Sequence, residues 1–247
     1  MTWPHGYGHL PLGVVGSTLD EAGRRAGDFA GPTWITAEAQ TAARGRRGRV
    51  WKNPEGNFAA TLVLPRIAPE AAALRSFVAS LALFDAFASL TGRAAHFALK
   101  WPNDVLLNGG KVAGILLEGV QVGGRFSTLA IGIGVNLAEA PGGGEVEPGA
   151  LRPVSLSGET GLVVPPAEFL EALAPAYAAW EVQFTELGFA PIRTAWLTRA
   201  ARLGETVTAR LPTEEITGVM REVDEAGQLV LSTPQGLRRI AAGDVFF

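Results

Sequence analysis

Phe97-Ala98-Leu99-Lys100-Trp101-Pro102-Asn103-Asp104-Val105-Leu106-Leu107-Asn108-Gly109 is the stretch from which the architecture unfolds. An apolar run from Phe97 to Trp101 meets a proline bend, and a second run, Asp104–Leu107, ends on Asn-Gly, the dipeptide that most favours a tight hairpin. Further apolar strands are predicted over Val112–Val120 and Leu129–Leu137, joined by a turn at Gly123-Gly124. Upstream, Leu12–Val15, Trp34–Glu38 and Phe58–Leu64 read as strands. A helix is expected to start at Ser17-Thr18-Leu19-Asp20-Glu21, where Thr18 and Glu21 have capping-box spacing. Between the two groups of strands, Leu74, Phe77, Val78, Leu81, Phe84 and Leu90 recur near helical spacing and predict a helix over Pro69–Leu90, closed by Gly92.

Downstream, residues 139–149 have loop composition and are expected to be mobile. Helices follow over Pro166–Leu187, with a kink expected near Pro175, and over Ile192–Thr198. Beyond Arg199 come short β-rich pieces (205–211, 215–223, 228–232, 237–241 and 244–247) separated by turns, the pattern of a small barrel. The pattern is α+β, with a first domain over 1–199 and a second over 200–247.

Composition limits the function. Of 247 residues, 47% are hydrophobic and 18% charged, enough apolar material for a core and too little charge for a disordered chain. A net charge of -3 excludes a general nucleic-acid or membrane-surface binder, so any basic patch is local. Zero cysteines exclude disulfides, zinc–thiolate sites and thiol catalysis, and His5, His9 and His96 are too scattered for a metal site. Without a cationic, apolar leader or a run of about 18 apolar residues, the chain reads as cytoplasmic.

Arg44-Gly45-Arg46-Arg47-Gly48-Arg49 puts four cations in six residues. Their mutual repulsion predicts a poorly ordered empty loop that an anion would organise. Phosphate is the favoured partner, with an RNA patch or a solvated loop as alternatives. Lys100-Trp101-Pro102-Asn103-Asp104 presents an amide, a carboxylate and an amine together, a set that suits a nucleotide with magnesium, although Asp104 alone reads as a turn residue. Lys111 precedes Val112-Ala113-Gly114-Ile115-Leu116, and the next strand carries Gly132-Ile133-Gly134-Val135-Asn136. Glycines on two neighbouring strands suggest a ligand slot or, equally, close packing of a helix.

Together these segments resemble the biotin–protein ligases. The matching residues are Ser17-Thr18, Gln40 with the arginine loop through Trp51, the Lys-Trp-Pro-Asn-Asp motif, Lys111–Leu116 and Gly132–Asn136, in the family's order. The resemblance implies a class II aminoacyl-tRNA-synthetase-like catalytic domain, a mixed sheet flanked by helices, with an SH3-like barrel after it. It implies ATP, magnesium and biotin, a biotinyl-AMP intermediate, and transfer to a lysine of the biotin carboxyl carrier protein of acetyl-CoA carboxylase or another biotin-dependent carboxylase. Lys111 and Arg46 match catalytic positions. Ser17, Thr18, Gln40, Arg44, Gly114, Leu116, Gly132 and Gly134 match the biotin side. Arg46, Arg49, Trp51, Asn103, Asp104, Lys111 and Asn136 match the nucleotide side, with Asp104 as candidate metal ligand and core packing as the alternative for Trp51. Two positions depart from the family pattern: Ala43 stands where glycine is usual, and Leu19 where a polar Asn is common. About a dozen residues precede the first predicted strand, too few for the DNA-binding domain some members carry, so a stand-alone ligase is expected. Neither nucleic acid nor membrane is expected as a partner, and a homodimer is one option for assembly. A lipoate or octanoate ligase of the same fold and a non-catalytic RNA-binding protein remain the alternative functions.

Overall fold

Seven strands, all from the first 135 residues, make the sheet on which the site is built. The computed structural model describes residues 2–122, 124–142 and 151–247. Gly123 of the expected turn and most of the expected mobile loop lie outside the described residues. In chain order the elements are β1 (Gly8–Val15), α1 (Thr18–Arg25), β2 (Thr33–Gln40), β3 (Phe58–Pro65), α2 (Pro69–Ala72), α3 (Arg75–Thr91), β4 (Phe97–Lys100), β5 (Asp104–Leu107), β6 (Gly110–Val122) and β7 (Arg125–Val135). They continue as α4 (Leu156–Thr160), α5 (Pro166–Leu187), α6 (Phe189–Leu197), β8 (Thr206–Arg210), β9 (Glu215–Val223), β10 (Leu229–Thr233), β11 (Gly236–Ile240) and β12 (Asp244–Phe246).

The sheet order is β1-β2-β3-β7-β6-β5-β4, with β1 and β2 parallel and every other neighbour antiparallel, so the sheet is mixed as expected. One face carries α3, α5 and α6 over a large core that includes Trp34, Phe58, Phe87, Phe169 and Trp196. The other face carries α1, which buries Leu19 and Ala22 against Ile35, Val63 and Ala130. Each Leu, Ile, Val or Phe side chain among them removed from water contributes roughly 1.5–3 kcal/mol. Asn108 and Gly109 both take positive φ (49° and 79°), as a two-residue hairpin between twisted strands demands.

Three local expectations need correction. β1 begins at Gly8 rather than Leu12, because the pairing with β2 extends the strand past Pro11. The helix cap is Ser17, whose Oγ accepts from the Leu19 N–H, while Thr18 is the first helical residue and turns its hydroxyl to the site. The helix expected over Pro69–Leu90 is two helices, with Ser76 and Phe77 bonding back only three residues, to Ala73 and Leu74, in a tighter turn at the break. Helix α5 continues through Pro175 as one element.

The C-terminal strands form an antiparallel sheet in the order β11-β10-β9-β8-β12. It is fastened to the first sheet near the site: the Leu99 N–H donates to the Arg199 carbonyl, Ala201 N–H donates to Leu99, and the Trp101 indole N–H donates to the Gly227 carbonyl at 3.0 Å. Val207, Leu229 and Val245 belong to the same continuous core as Leu99 and Trp101.

Candidate active site

The start of α1, the end of β2, the loop after it, strands β5 to β7 and the last strand β12 enclose a cavity of about 490 Å³. Every residue singled out from the sequence lines it: Ser17, Thr18, Gln40, Arg44, Arg46, Arg49, Trp51, Asn103, Asp104, Lys111, Gly114, Leu116, Gly132, Gly134 and Asn136.

One end is polar. Gln40 Oε1 accepts from the Thr18 N–H at 2.8 Å and from Thr18 Oγ1 at 3.1 Å, and Thr61 on β3 donates its hydroxyl to Thr18 Oγ1. With Oε1 occupied, the amide nitrogen of Gln40 keeps its donors for a ligand. The floor is glycine, with Gly114 opposite Gly134 and Leu116 opposite Gly132 in the β6–β7 register. Two of these glycines make room for protein side chains, each for a different one. A Cβ on Gly132 would come 2.8 Å from Leu19, so this glycine admits helix α1. A Cβ on Gly134 would come 2.5 Å from the Trp51 indole, so this one admits the aromatic lid of the slot. Leu19 thus serves packing.

The other end is charged. Asp104 is buried with Oδ1 2.7 Å from Lys111 Nζ and Oδ2 3.5 Å from Lys100 Nζ. Burial pushes the Asp104 carboxyl up, but the two ammonium groups outweigh it and hold its pKa below the usual value of 3.8. Burial lowers Lys100, with Asp104 opposing and Lys111 reinforcing the shift. Lys111 Nζ also lies 5.5 Å from the Trp51 ring centroid. As a metal ligand Asp104 does not fit: both its oxygens face ammonium groups, and no cluster of three ligating side chains exists among the described residues. Asn103 and Asn136 do structural work as well, Asn103 Nδ2 donating to the Ile115 carbonyl and Asn136 Nδ2 to that of Val154. Asn136 Oδ1 is buried and unpartnered.

Repulsion within the arginine loop persists, since burial and the neighbouring Arg47 and Arg49 together lower the Arg46 pKa, but carboxylates from elsewhere offset it. Arg44 binds Glu118 through Nε and Nη2 and Asp20 through Nη1. Arg46, Arg47 and Arg49 all reach Asp244 on β12, at 3.3, 3.1 and 3.0 Å. The loop is accordingly folded, with a 3-10 turn over Arg46–Gly48. Sequence reasoning missed Asp244, since nothing local marks an acid near the C-terminus as a partner of residues 46–49. Lys100, the amine of the expected nucleotide set, shares Asp104 with Lys111.

Residues 14–136 match the Biotin/lipoate A/B protein ligase family, and residues 203–247 match the Biotin protein ligase C terminal domain. The chain is 56% identical over 237 residues to a biotin–[acetyl-CoA-carboxylase] ligase of Paracoccus denitrificans, covering 96% of this chain and 99% of that one. A Mycobacterium tuberculosis protein of the same name is 32% identical over 85% of this chain and 77% of its own. The biotin protein ligase from Aquifex aeolicus in complex with biotin and ATP superposes with a TM-score of 0.84 at 27% identity, covering 96% and 97% of the two chains. The glycine-floored slot, the paired lysines and a match along nearly the whole sequence lead to one conclusion: the chain belongs to the biotin–protein ligase family.

Proposed function

We propose that this chain activates biotin with ATP and transfers it to a lysine of a biotin carboxyl carrier protein, most simply that of acetyl-CoA carboxylase. The observation that carries the proposal is the Lys100–Asp104–Lys111 cluster at one end of a slot whose other end is the Thr18–Gln40 pair. In the first step a carboxylate oxygen of biotin attacks the α-phosphorus of ATP. The bond to the bridging oxygen breaks, and pyrophosphate leaves with its electron pair. Two anions must approach, so the barrier falls only if fixed cations meet the charge that builds on the phosphorus oxygens. Lys111 is the proposed catalytic cation, and Arg46 and Arg49 are proposed to hold the phosphates and then the adenylate. Trp51, already over Gly134, covers the slot and excludes water from the anhydride.

In the second step an uncharged acceptor amine bonds to the acyl carbon, the acyl–phosphate C–O bond breaks, AMP leaves, and the amine's extra proton passes to solvent. Magnesium is proposed to enter as substrate with the ATP phosphates rather than on a protein carboxylate, since Asp104 is taken up by lysines.

The polar end supports biotin over lipoate. A ureido ring offers a carbonyl and two N–H groups to Ser17, Thr18 and Gln40, whereas a dithiolane offers no comparable partner. The RNA-binding reading finds less support, because the chain carries a net charge of -3 and has no basic excess outside the loop. Purified protein given ATP, magnesium and biotin should release pyrophosphate, and lipoate in place of biotin should give none. Absence of biotin-dependent release would refute the assignment.

A further inference from the structure

Strand β7 stops supporting β6 just short of Lys111. The last β6–β7 pair at that end is Ala113 with Val135, and the Asn136 N–H adds one bond more, to the Val112 carbonyl. Lys111 lies beyond, where the segment 152–154 takes the place of β7. The Lys111 N–H donates to the Arg152 carbonyl at 2.9 Å, and the Val154 N–H donates to the Lys111 carbonyl at 3.0 Å. Pro153 stands opposite Lys111 in this parallel bridge, where its two neighbours make both bonds and no N–H is needed of it. On the other side β5 holds Lys111 less regularly. The β5–β6 register shifts between Val105 and Leu106, the first opposite Ala113 and the second opposite Lys111. Such a slip breaks the ladder locally and re-aims side chains. Val154 is tied to the site at two further points. Its carbonyl accepts from Asn136 Nδ2 at 3.1 Å, and its side chain lies on Gly110, where an added Cβ would collide with Val154 Cγ1 and come 3.0 Å from the Arg152 carbonyl. From outside, Glu159 on α4 accepts from Arg152 and from Asn108 of the hairpin turn, at 2.7 and 2.9 Å.

We propose that the segment 152–154 positions Lys111 for adenylate formation, with Val154, which does not itself line the cavity, as the positioning residue at its centre. The inference rests on the ligase reading above. An ammonium on a flexible four-carbon stem meets a developing charge only where its backbone is held, and a displacement on the order of 1 Å can cost a hundredfold in rate. Val154 bonds to Lys111 through its N–H and to Asn136 through its carbonyl. One buried residue thus fixes two residues of the nucleotide side relative to each other. Glu159 ties the hairpin turn before Lys111 to the segment that holds it, so the two shift together.

The test is a size exchange between Gly110 and Val154, neither of which lines the cavity. Gly110→Ala crowds their contact, Val154→Ala empties it, and the double variant nearly restores its volume. Pyrophosphate release is followed at saturating ATP, per biotin-binding site counted by calorimetry. Each single variant should lower kcat about tenfold with KM and Kd for biotin unchanged, and the double variant should recover to within about threefold of wild type. A segment that only packs leaves kcat per folded site equal in all four proteins, and that result overturns the inference. So does a double variant no faster than either single one, or a loss carried by the KM for biotin with kcat intact. Should Gly110→Ala not fold, Val154→Ala and the double variant carry the test. Wild-type enzyme that makes no adenylate defeats the ligase reading and this inference with it, an outcome distinct from single variants that slow an active enzyme.

Discussion

Lys100, Asp104 and Lys111 sum to one positive charge, two ammonium groups against one carboxylate. A Lys111–Asp104 pair by itself would be neutral and would offer little field to an incoming phosphate. Lys100 supplies the excess. Lys111→Ala should therefore slow pyrophosphate release by about a hundredfold with biotin binding retained, and Lys100→Met by about tenfold, read as kcat against KM for biotin. Asp104→Asn should destabilise the fold by about 3 kcal/mol, since it strands two cations, one of them deeply buried. The pH dependence follows from the depressed Asp104 pKa. The unfolded chain takes up that proton at higher pH than the folded one, so this stabilisation is whole above 3.8 and is lost as pH falls below it toward the folded value. Lys100 runs the same way: its lowered pKa makes its contribution improve as pH rises toward 10.5. Urea unfolding at pH 7 and pH 3 should show wild type losing more stability on acidification than Asp104→Asn.

Between elements, the loop after β2 and strand β12 are tied by three arginines on one carboxylate. The charge density of that loop was legible in the sequence, but not what neutralises it, because Asp244 lies 195 and 198 positions from Arg49 and Arg46. In Asp244→Asn the three cations lose their common anion, and trypsin should cut the ligand-free protein after Arg46, Arg47 or Arg49 several times faster than wild type. Biotin with ATP should restore protection; cleavage equal to wild type without ligand would leave Asp244 no part in ordering the loop. Helix α1 teaches a similar lesson. Its start was legible from Ser17-Thr18, but which hydroxyl caps and which faces the slot depends on Gln40 and Thr61, residues of other strands.

Across the molecule, the division near residue 200 does not divide the core. Leu99 and Trp101 pack with Val207, Leu229 and Val245 in one cluster, and β4 is bonded to Arg199 and Ala201. Helix α3 with α2 has the length and hydropathy of a membrane span, at mean hydropathy 1.5, yet 67% of that window is buried inside the protein, so its apolarity is that of a core helix. Shared burial predicts that both sheets unfold together. Scanning calorimetry should give a single transition, and two separated transitions would mean that the C-terminal strands are an independent unit. Truncation after Arg199 would bare Leu99 and Trp101 and should lower the melting temperature of the remainder by well over 10 °C, measured by circular dichroism.

By itself the sequence determined most of the strands, the Asn108-Gly109 hairpin and a set of residues that line one cavity, because periodicity, turn chemistry and motif order act over a few neighbouring positions. Only the tertiary structure decided how charge is balanced. It put Asp20 and Glu118 on Arg44, Asp244 on the other three arginines and two lysines on Asp104, and it set Leu19 and Trp51 over different glycines of one floor. Coulombic pairing and close contact depend on distance in space, and folding brings those partners together across gaps that no local pattern spans.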